Sequence, residues 1–112
     1  MTQQRVKPGD CRTMAEVRHG VDRLDEEILG LLGERFRYMD AAARIKPNRE
    51  AVRDEARKAE VIANVRRLAP GAGVDPETAA ALYEQLVEAS IAHEHVEFDA
   101  LRAECGPSAS AD

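Results

Sequence analysis

An all-α fold of three helices per chain, one of them very long, is what the sequence predicts, and three observations predict it. The chain has two Phe, two Tyr and no Trp, so a core must be built from Leu, Val, Ile and Ala, which suits helix packed on helix. Apolar residues recur by threes and fours over long stretches, and no stretch alternates with the period of a strand. The breaks are few and sharp: Pro47, and the run Pro70-Gly71-Ala72-Gly73.

The first helix opens on a capping box. Thr13 followed by Glu16 lets the hydroxyl accept from the third amide while the glutamate reaches back. Met14, Val17, Val21, Leu24, Ile28, Leu31, Arg35, Tyr38, Ala42 and Ile45 then form a heptad-like seam. Pro47 ends it, because the residue before a proline disfavours helical geometry, and Lys46 is left at the exit. At ~1.5 Å per residue the helix is a rod of ~50 Å. A compact chain of 112 residues has a radius of gyration of only ~13 Å. The rod must therefore bend sharply or be covered in part by a second chain.

The second helix is expected over 51–68, with Val52, Ala59, Ile62 and Val65 inward. The third starts with Asp75 as N-cap, Pro76 at the first helical position and Glu77 in the first turn. Its seam reads Leu82, Leu86, Ala89, His93 and Val96, ending near Ala103. Residues 1–12 form an N-terminal extension, 13–104 the helical domain, and the small, polar 105–112 a disordered tail.

Composition narrows the function. A formal net charge of −5 argues against a nucleic-acid binder, which presents a basic face. No apolar run approaches the ~20 residues of a membrane span, and the start "MTQQRVKPGD" lacks the apolar region of a signal peptide. A cytoplasmic protein follows. Cys11 and Cys105 fall outside the helical patterns and are expected as free thiols in a reducing compartment.

The seam of helix 1 carries one anomaly, Arg35. Its stem can pack on the seam while the head reaches water. Alternatively its charge is buried and needs an anion, since an unpaired buried charge costs several kcal/mol. Lys46 lies three helical turns further on, within ~20° of the same face and ~16 Å along the axis, a gap suited to a small dianion. Arg18 lies ~25 Å in the other direction, too far for one small molecule to touch both arginines of one helix. If Arg18 joins the site, it comes from an antiparallel partner, which makes a two-fold dimer with swapped helices. Arg57 on helix 2 and Ser90 and Glu94 on helix 3, four apart and so on one face, are further candidates. Each of these taken singly also reads as a solvated surface residue.

Together these residues resemble a known family. "VRHGVDRLDEEILGLLGERFRYMDAAARIK" is similar to the first helix of the all-helical chorismate mutases, and more closely to the branch that includes isochorismate-pyruvate lyase. "VRDEAR" and "SIAHE" resemble that family's second- and third-helix segments, so the likeness runs from about Cys11 to Arg102. It implies an intertwined, helix-swapped homodimer in which Arg18 completes the other chain's site. It implies Arg18, Arg35, Arg57 and Ser90 as substrate-binding residues and Lys46 and Glu94 as catalytic ones. Two positions depart from the family: Glu94 stands where glutamine is common, and Lys58 where many mutases carry a glutamate.

The reaction implied is the concerted rearrangement of chorismate, a dicarboxylate with an enolpyruvyl ether, to prephenate. It requires no nucleophile, metal or cofactor. A protein accelerates it by selecting the reactive conformer and stabilising charge on the ether oxygen. Arginine forks suit the carboxylates. Lys46 is the expected donor to the ether oxygen, with Glu94 as a second donor only when neutral, because an ionised carboxylate has no proton to give. Neither "HEH" nor "HEHVE" has the spacing of a zinc helix, so His93 and His95 are expected to pack or face solvent, and His19 is given no role. Lyase chemistry on isochorismate, giving salicylate and pyruvate, and 4-amino-4-deoxychorismate mutase chemistry use a similar cage. A non-catalytic helical dimer that binds a partner is the alternative of another class.

Overall fold

The computed structural model describes residues 5–110, with side chains described as far as residue 103. Within them the elements are a 3-10 turn at Pro8–Asp10, α1 over Met14–Ile45, a second 3-10 turn at Arg49–Ala51, α2 over Glu55–Ala72 and α3 over Pro76–Ser110. No strand occurs among the described residues. The all-helical, three-helix expectation therefore holds. The chain divides into two units, residues 1–35 and 36–112, and α1 contributes to both.

In the first unit the capping box forms as its spacing requires. Glu16 N–H donates to Thr13 Oγ1 at 3.1 Å, and Glu16 Oε1 accepts from Thr13 N–H at 3.3 Å and Arg12 N–H at 2.7 Å. The N-terminal segment lies along the opening turns of α1, where Val6 O comes within 4.0 Å of the place a Cβ on Gly20 would occupy. Arg5 reaches Glu27 at 3.0 Å. Cys11 is a free thiol directed at Val6 O, 3.9 Å away. The seam residues Val21, Ile28 and Leu31 stand at 50%, 51% and 67% exposure on the single chain.

The second unit holds the core. Ala43, at 0% exposure, packs with Val52, Val87, Ile91 and Phe98, and Val61, Ile62 and Leu101 lie against them. On α3 the buried residues Ala80, Val87, Ile91, Glu94 and Phe98 follow the three-and-four spacing of one helical face. The seam read from the sequence is the opposite face: Leu82 and Val96 are exposed, as are Tyr38 and Ile45 on the end of α1. Both elements thus carry two apolar stripes, and this chain covers one of each. Ala59 is likewise exposed, and Val52 reaches the core from the connection before α2 rather than from the helix.

Helix boundaries follow backbone donors and acceptors. Asn48 caps the second 3-10 turn, its Oδ1 accepting from Ala51 N–H at 3.0 Å. Asp54 then caps α2, its Oδ1 accepting from Arg57 N–H at 3.0 Å, so the helix begins at Glu55 and not at Ala51. The run Pro70-Gly71-Ala72-Gly73 does not break α2 at Leu68. Pro70 is accommodated in the last turn, and the helix ends at Gly73, whose φ is 79°. There Val74 N–H donates to Ala69 O at 2.9 Å and Gly73 N–H to Pro70 O at 3.0 Å, the paired bonds of a Schellman motif. Asp75 caps α3 as expected, accepting from Thr78 N–H at 3.0 Å. α3 continues to Ser110, past the expected end near Ala103, and Cys105 falls within it. Side chains from 104 onward, the Cys105 thiol included, and residues 111 and 112 lie outside the described residues.

Candidate active site

Glu94 is the starting point, a carboxyl side chain 3% exposed on the core face of α3. A buried charge of this kind requires a partner. Lys46 provides it: its Nζ is 2.6 Å from Glu94 Oε2. The pair is close but poorly aligned as a hydrogen bond, and Oε2 receives no other. Lys46 Nζ also donates to Val52 O at 3.3 Å, which ties the ammonium to the connection between α1 and α2. Ser90, one turn earlier on the same face of α3, is 3% exposed and its hydroxyl donates to Leu86 O at 2.7 Å. The structure thus brings Lys46 and Glu94 together, with Ser90 one turn away.

Arg57 has a different position. Its guanidinium is exposed and pairs with Glu60, one turn on in α2, at 3.1 Å. In the first unit, Arg18 is exposed and Arg35 half-buried on α1. Both lie on the continuous helix Met14–Ile45, where seventeen residues span ~25 Å.

Lys58, where many mutases carry glutamate, is bound into a separate ionic cluster. Its ammonium is 2.7 Å from both Glu84 and Glu88 of α3, and Arg53 donates to Glu88 at 2.6 and 3.2 Å. Arg53 first, then Lys58, hold the Glu88 carboxyl down from 4.5 to about 2. Glu84 and Glu88 in turn raise the lysine. The cluster joins α2 to α3 at the surface. Arg49 and Asp99 form a second such bridge, at 2.9 Å.

Three features were not foreseen. His93, expected only to pack or face solvent, has Nε2 2.6 Å from Asp40 Oδ1 and its ring edge-on to Phe36 at 5.0 Å between centroids. Arg102 donates to Ala43 O at 2.9 Å and to Lys46 O at 2.7 Å. Its guanidinium lies 3.7 Å from the centroid of the Phe98 ring. The available signal was the spacing Glu94, Phe98, Arg102, four apart twice over, which puts all three on one face of α3. Among the described residues no three His, Cys, Asp or Glu side chains are grouped to hold a metal, and no helix is long and apolar enough to cross a membrane.

The chain is all-helical, with a half-buried lysine at the exit of a long first helix facing a buried carboxyl, and comparison with known proteins gives its family. Residues 17–95 match the chorismate mutase type II family, to which this chain belongs. It is also similar to the isochorismate pyruvate lyase of Pseudomonas aeruginosa, 32% identical over 87 residues that cover 78% of this chain and 86% of that protein. The family implies a small chorismate-like substrate.

Proposed function

We propose that this protein is a chorismate mutase that converts chorismate to prephenate. The observation that carries the reading is the Lys46–Glu94 pair: an ammonium and a buried carboxyl 2.6 Å apart, with one carboxyl oxygen lacking an aligned donor. The ammonium, joined by the carboxyl only when that group carries a proton, can donate to an ether oxygen that gains charge as its C–O bond lengthens. Lys46 and Glu94 are the catalytic residues on this reading. Arg35, Arg57 and Ser90 of one chain bind the substrate with Arg18 of the other.

A homodimer with swapped helices is part of the proposal. The half-exposed or more exposed Val21, Ile28 and Leu31 along α1, and Leu82 and Val96 along α3, support it, because a second copy would take these stripes out of water. On this reading the exposed Arg57 guanidinium leaves Glu60 for a substrate carboxylate.

The second reading is isochorismate pyruvate lyase activity, favoured by the 32% identity to a protein of that name. Purified protein with each substrate separates the two. Loss of chorismate absorbance with prephenate formed, detected as phenylpyruvate after acid, supports the mutase. Salicylate fluorescence from isochorismate alone assigns the lyase. Inertness toward both substrates at acid and neutral pH refutes both readings.

A further inference from the structure

α1 ends at Ile45, so the carbonyls of its last turn depend on the residues that follow for their donors four residues on. Ala42 O is served by Lys46 N–H at 2.9 Å. The next carbonyl, Ala43 O, faces position 47, and position 47 is a proline with no N–H to give. Arg102 supplies the missing donor from α3: Nη1 bonds Ala43 O at 2.9 Å, and Nη2 bonds Lys46 O at 2.7 Å. A cation is favourable at this helix end, where the macrodipole is negative. The guanidinium is steadied over Phe98, itself 6% exposed and packed in the core. Lys46 is therefore gripped at both ends by one helix, its ammonium beside Glu94 and its carbonyl bound to Arg102 two turns further along α3.

We propose that Arg102 is a positioning residue for Lys46, replacing the hydrogen bond that Pro47 removes and so fixing the backbone from which the ammonium projects. This rests on the reading in which Lys46 donates to the substrate's ether oxygen. With the clamp gone, the Lys46 backbone keeps only its own N–H bond to Ala42, and the ammonium spreads over positions that miss the oxygen. A lysine at 102 cannot replace the arginine, because a single ammonium lacks the planar fork that spans two carbonyls.

The test uses the full chain with Arg102→Lys and Arg102→Met. Arg49→Ala, which breaks the exposed Arg49–Asp99 bridge to the same helix, is the control. Two readouts are taken: steady-state kinetics on chorismate and isochorismate, and the carbonyl carbon resonances of Ala43 and Lys46 by NMR. Both Arg102 variants are expected to lose roughly tenfold to a hundredfold in kcat, with KM within about threefold of the wild type. Both are expected to move the two carbonyl resonances, and Arg49→Ala to leave kinetics and resonances in place. If Arg102→Met does not fold, Arg102→Lys decides alone. Wild-type kcat in the folded Arg102 variants overturns the proposal, as do unmoved carbonyl resonances. Inactivity of the wild type on both substrates sinks the functional reading and the positioning role with it, while the resonances still report whether Arg102 clamps Lys46.

Discussion

Lys46 Nζ stands 2.6 Å from Glu94 Oε2, and the carboxyl it faces is almost wholly removed from solvent. As an ion pair the two groups together hold one donor set too few: the ammonium has protons to give and the carboxylate has none. For both to donate to an ether oxygen the pair must carry one more proton.

On the mutase reading, position 94 must present a donor to the ether oxygen. Glu94→Gln, whose amide carries a donor at every pH, is therefore expected to keep or raise kcat/KM on chorismate relative to the wild type. Steady-state kinetics on both proteins checks this. A loss of about a hundredfold in Glu94→Gln removes Glu94 from the donor role.

Arg18 and Arg35 sit ~25 Å apart on one helix, so on the swapped-dimer reading each site draws them from different chains. An Arg18→Ala protein and an Arg35→Ala protein, each nearly inactive, are expected to regain activity when mixed and allowed to exchange subunits. One site of each heterodimer collects both wild-type residues. No recovery after exchange is verified by mass spectrometry would show that Arg18 does not act in trans.

The cluster around Glu88 makes an acid-stability prediction. Arg53 and Lys58 depress the Glu88 carboxyl from 4.5 to about 2, so the folded chain holds the carboxylate more firmly than the unfolded chain does. That stabilisation is complete above about 4.5, declines as pH falls, and is gone below about 2. Glu88→Gln should therefore lower Tm near neutrality, and its gap from the wild type should close as the solution is acidified toward pH 2. Thermal melts by circular dichroism at a series of pH values test it, and a gap that does not change with pH counts against the pairing.

Gly73 closes α2 with φ of 79°, and a Cβ there meets nothing within 4 Å. The cost of Gly73→Ala is thus backbone strain without a clash, about 1 kcal/mol for an L-residue held in the left-handed region. Urea denaturation should show that loss with kcat unaffected. Gly71→Ala, in the regular helix with open space around it, should be neutral or slightly stabilising.

The local rules that reached the structure intact are the caps and the stop of the first helix, whereas α2 starts later and runs through Pro70 and α3 runs on past Ala103. Thr13 with Glu16, and Asp75 with Pro76, carry their donors and acceptors within a few residues, so their caps form wherever the rest of the chain goes. The length of α1 and its stop before Pro47 are equally local. The pairing of Lys46 with Glu94 was legible only through family likeness, because the two are 48 residues apart and nothing in their spacing brings them together.

What tertiary structure decided is which side of each helix faces inward. α3 carries an apolar stripe through Leu82 and Val96 and another through Val87, Ile91 and Phe98, and hydrophobic periodicity weighs them alike. Packing chose the second, because Ala43, with no side chain beyond Cβ, lets the end of α1 approach that face. The same choice put Arg102 under the carbonyl that Pro47 leaves without a donor. A helix end states in the sequence that an acceptor is unsatisfied, but only the fold brings a donor 59 residues away to meet it.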